Sequence, residues 1–256
     1  MISKSERLLI FRFLFSKKSD GYVSIFAWFS IIGISLGVAA IIIVMSVMNG
    51  FRIDLTNRII GLNSHLNIYS FDNEITNKQA DELILNIDNS FFYQHYKSIE
   101  TNGLIIKSNN SKGVMIKGYD EYDKNHYLFN SINMGALIQN PKSEILIGDS
   151  LANEMNLSVG DKVKIAIPKT DKTILGNIPR FKTLEVVGVF DLGLYEYDSN
   201  LIFLSSELVR KLLLYDEDIY NKIEFFTSSP NKIELFKNKV ELEISNLLLN
   251  FYSISW

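Results

Sequence analysis

Residues 23–48 read VSIFAWFSIIGISLGVAAIIIVMSVM, an apolar run without a charged side chain. The uncharged stretch is wider still, reaching from Gly21 to Phe51. A helix needs about 20 apolar residues to cross a hydrocarbon core of roughly 30 Å, so this segment is long enough with turns to spare. Two other readings compete. A buried core helix is normally shorter and flanked by other helices. A cleaved signal peptide has an apolar core of about 7–15 residues that ends at small residues. Here Ala39-Ala40 runs directly on into Ile41-Ile42-Ile43-Val44. Residues 21–50 therefore read as a retained transmembrane helix.

Charge on either side sets the orientation. The 256 residues hold 26 Lys+Arg and 29 Asp+Glu, a net charge of −3. That total excludes binding to nucleic acid through overall charge. Residues 1–20 carry Lys4, Arg7, Arg12, Lys17 and Lys18 against Glu6 and Asp20, giving +3. Residues 52–256 carry 21 basic and 27 acidic groups, giving −6. Basic residues beside a span stay in the cytoplasm. The N-terminus is thus expected inside and residues 51–256 outside, which in a bacterium with two membranes is the periplasm. The absence of cysteine fits a domain that folds without disulfides. In residues 1–20, Leu8, Leu9, Phe11, Phe13, Leu14 and Phe15 alternate with the basic groups. This pattern suits either a short helix in the cytoplasmic interface or a plain topogenic charge cluster.

Within the span, Ser30, Gly33, Gly37 and Ala40 recur at helical spacing. Small residues let a second helix approach closely, so a partner helix is expected. Beyond the span, Phe51, Leu55, Ile59 and Leu62 keep the period, with Gly61 as the expected stop. The remainder alternates between strand and helix patterns, an α+β domain behind a transmembrane helix. Strands are expected near residues 64–71, 98–107, 113–118, 144–147, 163–168, 183–190, 200–204 and 219–226. Helices are expected over Thr76–Asp88, Asp149–Asn156, Ser205–Leu214 and Pro230–Asn250, with Thr76 and Gln79 as a capping box.

Patterns that mark catalysis are missing. His65, His95 and His126 lie far apart in sequence with no HExxH, and neither a P-loop nor a GxSxG occurs. No enzyme, metal site or cofactor is expected. One segment stands out, the stretch between Pro168 and Thr183. It carries Lys169, Lys172, Arg180 and Lys182 against only Asp171, within a domain that is acidic overall. Pro168 and Pro179 bracket it, and Ile174, Leu175 and Ile178 give it an apolar tip. It reads either as a loop that docks on an acidic-rimmed groove of another protein, or as a flexible hairpin with solubilising charges.

The segments AWFSIIGISLGVAA (27–40), SVMNGFR (46–52) and IGLNSH (60–65) resemble the start of a lipoprotein-releasing ABC transporter permease of the LolC/LolE type. Ile147 to Ala152, Leu157 to Val163 and Gly176 to Lys182 extend the resemblance, while residues 72–97 and 205–250 add little. It implies a non-catalytic permease subunit of the bacterial inner membrane that passes lipoproteins to a periplasmic carrier. The implied partners are a cytoplasmic ABC ATPase, a second permease subunit in a homodimer or heterodimer, the carrier, lipoprotein cargo and membrane lipid. The implied periplasmic domain is of the macrolide-exporter type. Residues 51–121 and 199–256 would form its membrane-proximal part and residues 122–198 a strand-rich insert. By the same resemblance, residues 168–182 match a projecting hook that grips the carrier, at Pro168, Gly176, Ile178, Pro179 and Arg180. Val44, Val47, Met48 and Phe51 match the wall of an acyl-chain cavity, where an unbranched Met adapts to lipid tails. Such permeases have three further spans that this sequence lacks, so a truncated product or a split gene is expected. The other reading of the residues is a single-pass, membrane-anchored sensor or binding module. A related exporter or cell-division permease would lack the hook.

Overall fold

Two helices, α1 (Lys4–Leu14) and α2 (Gly21–Asn63), come first in a computed structural model that describes residues 4–14, 21–87, 91–122, 126–173, 176–216 and 218–255. Helix α2 has 43 residues, a length of about 65 Å at roughly 1.5 Å of rise per residue. No proline interrupts it, and no residue of its apolar part, Ser24–Asp54, is buried. As expected, the helix continues past Phe51. Gly61 does not stop it, however. Ser64 takes the left-handed conformation instead, at φ 56°, with its Oγ donating to Asn67 Oδ1 at 2.6 Å. The described residues form two units, one up to Asn57 and one from Arg58.

The second unit is mixed α/β. Its elements are β1 (Leu66–Ser70), β2 (Ile75–Thr76), α3 (Asn77–Asn86), β3 (Gln94–Lys107), β4 (Asn110–Tyr119), β5 (Ile132–Gly135), β6 (Glu144–Gly148) and α4 (Asp149–Met155). There follow β7 (Lys162–Thr173), β8 (Gly176–Phe190), α5 (Tyr195–Asn200), β9 (Leu201–Ser205), α6 (Ser206–Leu213), β10 (Ile219–Tyr220), β11 (Lys222–Phe226), α7 (Ile233–Asn246) and β12 (Phe251–Ser255). The capping box forms as read: Thr76 accepts from the Gln79 N–H and the Gln79 side chain accepts from the Thr76 N–H. The last helix is shorter than read, because Pro230–Lys232 is a 3-10 turn and the chain returns as β12 after Asn246.

One sheet of ten strands carries the unit, in the order β12-β1-β11-β3-β4-β9-β6-β8-β5. Strand β7 pairs with both β8 and β3. Six strands (β3, β4, β9, β6, β8 and β7) therefore close on themselves. Each contributes a fully buried residue to one core: Ile105, Ile116, Ile202, Ile147, Val186 and Ile165. Burying each such side chain stabilises by about 1.5–3 kcal/mol. Helices α4 and α6 add Leu151 and Leu208 to this core. A second core, with Leu66, Ile68, Leu83, Phe225 and Phe236, joins β1 and β11 to α3 and α7. A third gathers Tyr119, Leu128, Leu146, Phe190 and Phe203. Strands β5 to β8, from residues 122–198, thus share their sheet with strands from either side of that range, and β6, β7 and β8 share the main core as well.

Candidate docking hairpin and apolar helix face

The segment after Pro168 is paired strand, not loop. Strand β7 runs on to Thr173 and β8 begins at Gly176, with Thr170 opposite Pro179, Asp171 opposite Ile178 and Thr173 opposite Gly176. Proline brings no N–H to a ladder. The hairpin resolves this with a bulge: between the pairs Ile167↔Arg180 and Thr170↔Pro179, residues Pro168 and Lys169 face no partner. Pro168, Gly176, Ile178, Pro179 and Arg180 thus lie on one two-stranded hairpin. The side chains of residues 168–179, and all of Ile174 and Leu175, lie outside the described residues. Below the bulge, Phe181 and Lys182 are exposed.

On α2, Ser30, Gly33, Gly37 and Ala40 fall on one face. A Cβ added to Gly33 or Gly37 would meet nothing within 4 Å, and the Ser30 hydroxyl donates to the Phe26 carbonyl at 2.8 Å. The face is therefore small, open and without unsatisfied polar groups. Four residues on, Val44 and Met48 continue it, and Ala40, Ile41, Val44, Met45 and Met48 line a wholly apolar depression. Val44, Val47, Met48 and Phe51 are each at least 60% exposed.

Sequence reading missed an ionic centre in the sheet. Glu224 on β11 accepts from Tyr119 Oη at 2.6 Å, from Lys222 Nζ at 2.9 Å and from Lys117 Nζ at 3.3 Å. Lys222 also reaches Glu100 Oε2 at 2.9 Å. Burial pushes the Glu224 carboxyl up, but Lys117 and Lys222, with the Tyr119 hydroxyl, outweigh it and hold the carboxyl down at about 2. Burial would lower the Lys222 ammonium, yet Glu224 and Glu100 carry it well above its ordinary value. Lys222-Ile223-Glu224 looks like an ordinary alternating edge with polar groups in water. The available signal was opposite charges two apart on one strand. The three histidines do not meet: His65 Nδ1 accepts from the Thr227 N–H, His95 packs against Phe92, and His126 Nδ1 accepts from the Leu128 N–H. Beside β5 lies an open groove of about 610 Å³, lined by Tyr122, Phe129, Ile132, Leu137 and Ile138 among others.

The chain is similar to several known proteins. The lipoprotein-releasing system transmembrane protein LolC of Neisseria meningitidis serogroup B is 29% identical over 213 residues, covering 81% of this chain and 51% of that protein. LolE of the same system from Haemophilus influenzae is 25% identical over 226 residues, covering 86% of this chain and 54% of that protein. The periplasmic region of MacB from Actinobacillus actinomycetemcomitans aligns at 14% identity with a TM-score of 0.49, over 76% of this chain and 89% of that one. The chain spans about half the length of the curated relatives it matches. The family model of the MacB-like periplasmic core domain matches residues 27–241, and with an apolar helix of membrane-crossing length leading into a mixed α/β domain, the chain belongs to that family.

Proposed function

We propose that the chain forms part of a non-catalytic permease subunit of an ABC transporter that releases lipoproteins from the bacterial inner membrane and hands them to a periplasmic carrier. The observation that carries this reading is the family match across the helix and the domain behind it, shared with relatives named for lipoprotein release. The N-terminus lies in the cytoplasm and residues after about 51 in the periplasm, as the basic residues before the span indicate. Residues 51–121 and 199–256 form the part nearer the membrane, and residues 122–198 carry the hairpin outward. A separate ATPase hydrolyses ATP, a second permease subunit packs on the small-residue face of α2, and lipid or acyl chains lie along Val44, Val47, Met48 and Phe51. The basic hairpin, on which Pro168, Gly176, Ile178, Pro179 and Arg180 lie, takes the carrier.

Replacing Pro179 with Ala in the full chain tests the hairpin. Carrier capture in a pull-down is expected to fall while the denaturation curve stays in place; unchanged capture rejects the assignment. For the face of α2, Gly37→Leu is expected to abolish co-purification of the second permease subunit, and unaltered co-purification rejects that contact. The groove beside β5 favours a second reading, a membrane-anchored binding module. Failure to recover any ATPase with the chain, together with saturable binding of an apolar dye displaced by Phe129→Asp, would support it instead.

A further inference from the structure

The hairpin leaves the closed ring of strands at the pair Ile167↔Arg180, the last regular pair before the bulge. Ile167 is buried in the ring's core, and directly paired residues place their side chains on the same face of a sheet. The Arg180 side chain is therefore on the core side of the ladder. There its Nη1 donates to the carbonyl of Lys211 at 3.3 Å. That carbonyl belongs to the last turn of α6, among the four that helix geometry leaves without an intrahelical donor. The N–H groups of Leu214 and Tyr215 both go to the Arg210 carbonyl. A guanidinium at this end of a helix also meets the negative pole of its dipole.

We propose that Arg180 is a positioning residue, which ties the base of the hairpin to the C-terminal end of α6 and so sets the direction in which the hairpin projects. A bulge bends a strand and increases its local twist. The two unpaired residues Pro168 and Lys169 are thus the joint at which the hairpin is aimed, and Arg180 flanks that joint on the opposite strand, as the last residue paired on its ring side. The inference rests on the docking reading for its effect on the carrier. The tether itself does not.

The test uses the full chain in detergent, with purified periplasmic carrier as the probe. Arg180→Ala is expected to weaken carrier binding about tenfold, the loss of one modest interaction. The salt dependence of the affinity is expected to stay as it was, since a rim charge that touched the carrier would change it. Amide exchange at Asp171 and Lys172, beyond the joint, is expected to quicken. Arg180→Gln, which keeps a donor without the charge, is expected to restore most of the affinity and the protection. A flattened salt dependence with unchanged exchange would overturn the tether and make Arg180 a direct contact. If the unaltered chain binds no carrier, the docking reading fails, and unchanged amide exchange in Arg180→Ala would still reject the tether by itself.

Discussion

Lys117 and Glu224 face one another at 3.3 Å with side chains only 2% and 1% exposed, on strands separated in the sheet by β3. Removing one partner of a buried pair leaves the other charged in a medium that solvates it poorly, which costs about 3–5 kcal/mol. Glu224→Gln is therefore expected to lower stability by about that amount, read from chemical denaturation of the full chain in detergent. A loss under about 1 kcal/mol would mean that water reaches the site.

The same carboxyl has a pH signature. Glu224 falls from its ordinary 4.5 to about 2 in the fold. A depressed acid stabilises fully above its unfolded value, and that contribution is lost as pH drops through the folded one. The unaltered chain is expected to lose stability between pH 4.5 and 2, and Glu224→Gln to lose less over that window. Equal slopes would place the acid sensitivity elsewhere.

His65 works at a higher pH. Burial lowers its imidazole below the ordinary 6.5, and its Nδ1 accepts the Thr227 N–H at 3.2 Å. The unfolded chain therefore takes up a proton before the folded one, so stability falls as pH drops below about 6.5. His65→Gln is expected to remove that part of the dependence. A melting temperature flat between pH 7 and 5.5 in the unaltered chain contradicts it.

Gly148 ends β6 where the backbone passes very close to α5. A Cβ there would stand 2.1 Å from the Asp198 carbonyl oxygen. No rotamer change relieves a clash with backbone, so Gly148→Ala is expected to cost at least about 1–3 kcal/mol, the usual range for overpacking. An unshifted denaturation midpoint would show that α5 gives way freely.

At the start of α3, Thr76→Ala removes the cap from the Gln79 N–H. The expected loss is about 1 kcal/mol, with amide exchange quickening first at Gln79. A change spread over the whole sheet instead would point to a role beyond capping.

Much of this was legible in the residues, for reasons that differ by element. The span needed only 31 uncharged residues and a length criterion. The cap of α3 is local chemistry, visible in Thr76 and Gln79. Strand β12 was hidden, because Phe251 to Ser255 pairs with β1 nearly the whole domain away in sequence, and such pairing has no local mark. The hairpin was half legible: its prolines, charges and glycine stood out, but Pro168 argued against a strand until the bulge gave it a position without a partner. Closure of the six strands was invisible, since it depends on β3 and β7 meeting over three residue pairs, Leu104↔Ala166 to Ile106↔Lys164. The ionic centre stayed hidden because alternation predicts that Lys222 and Glu224 face water. Their second face is buried by neighbours that periodicity cannot anticipate.

The closed ring has a mechanical consequence for the hairpin. Both arms are held laterally, β7 by β3 and β8 by β6. A pull on the tip along the strands therefore loads those flanking ladders in shear, where several backbone bonds must yield together. An arm hung from an open sheet edge would peel away one bond at a time. Load applied at the tip is therefore shared between the two arms and passed on to the strands of the ring that flank them.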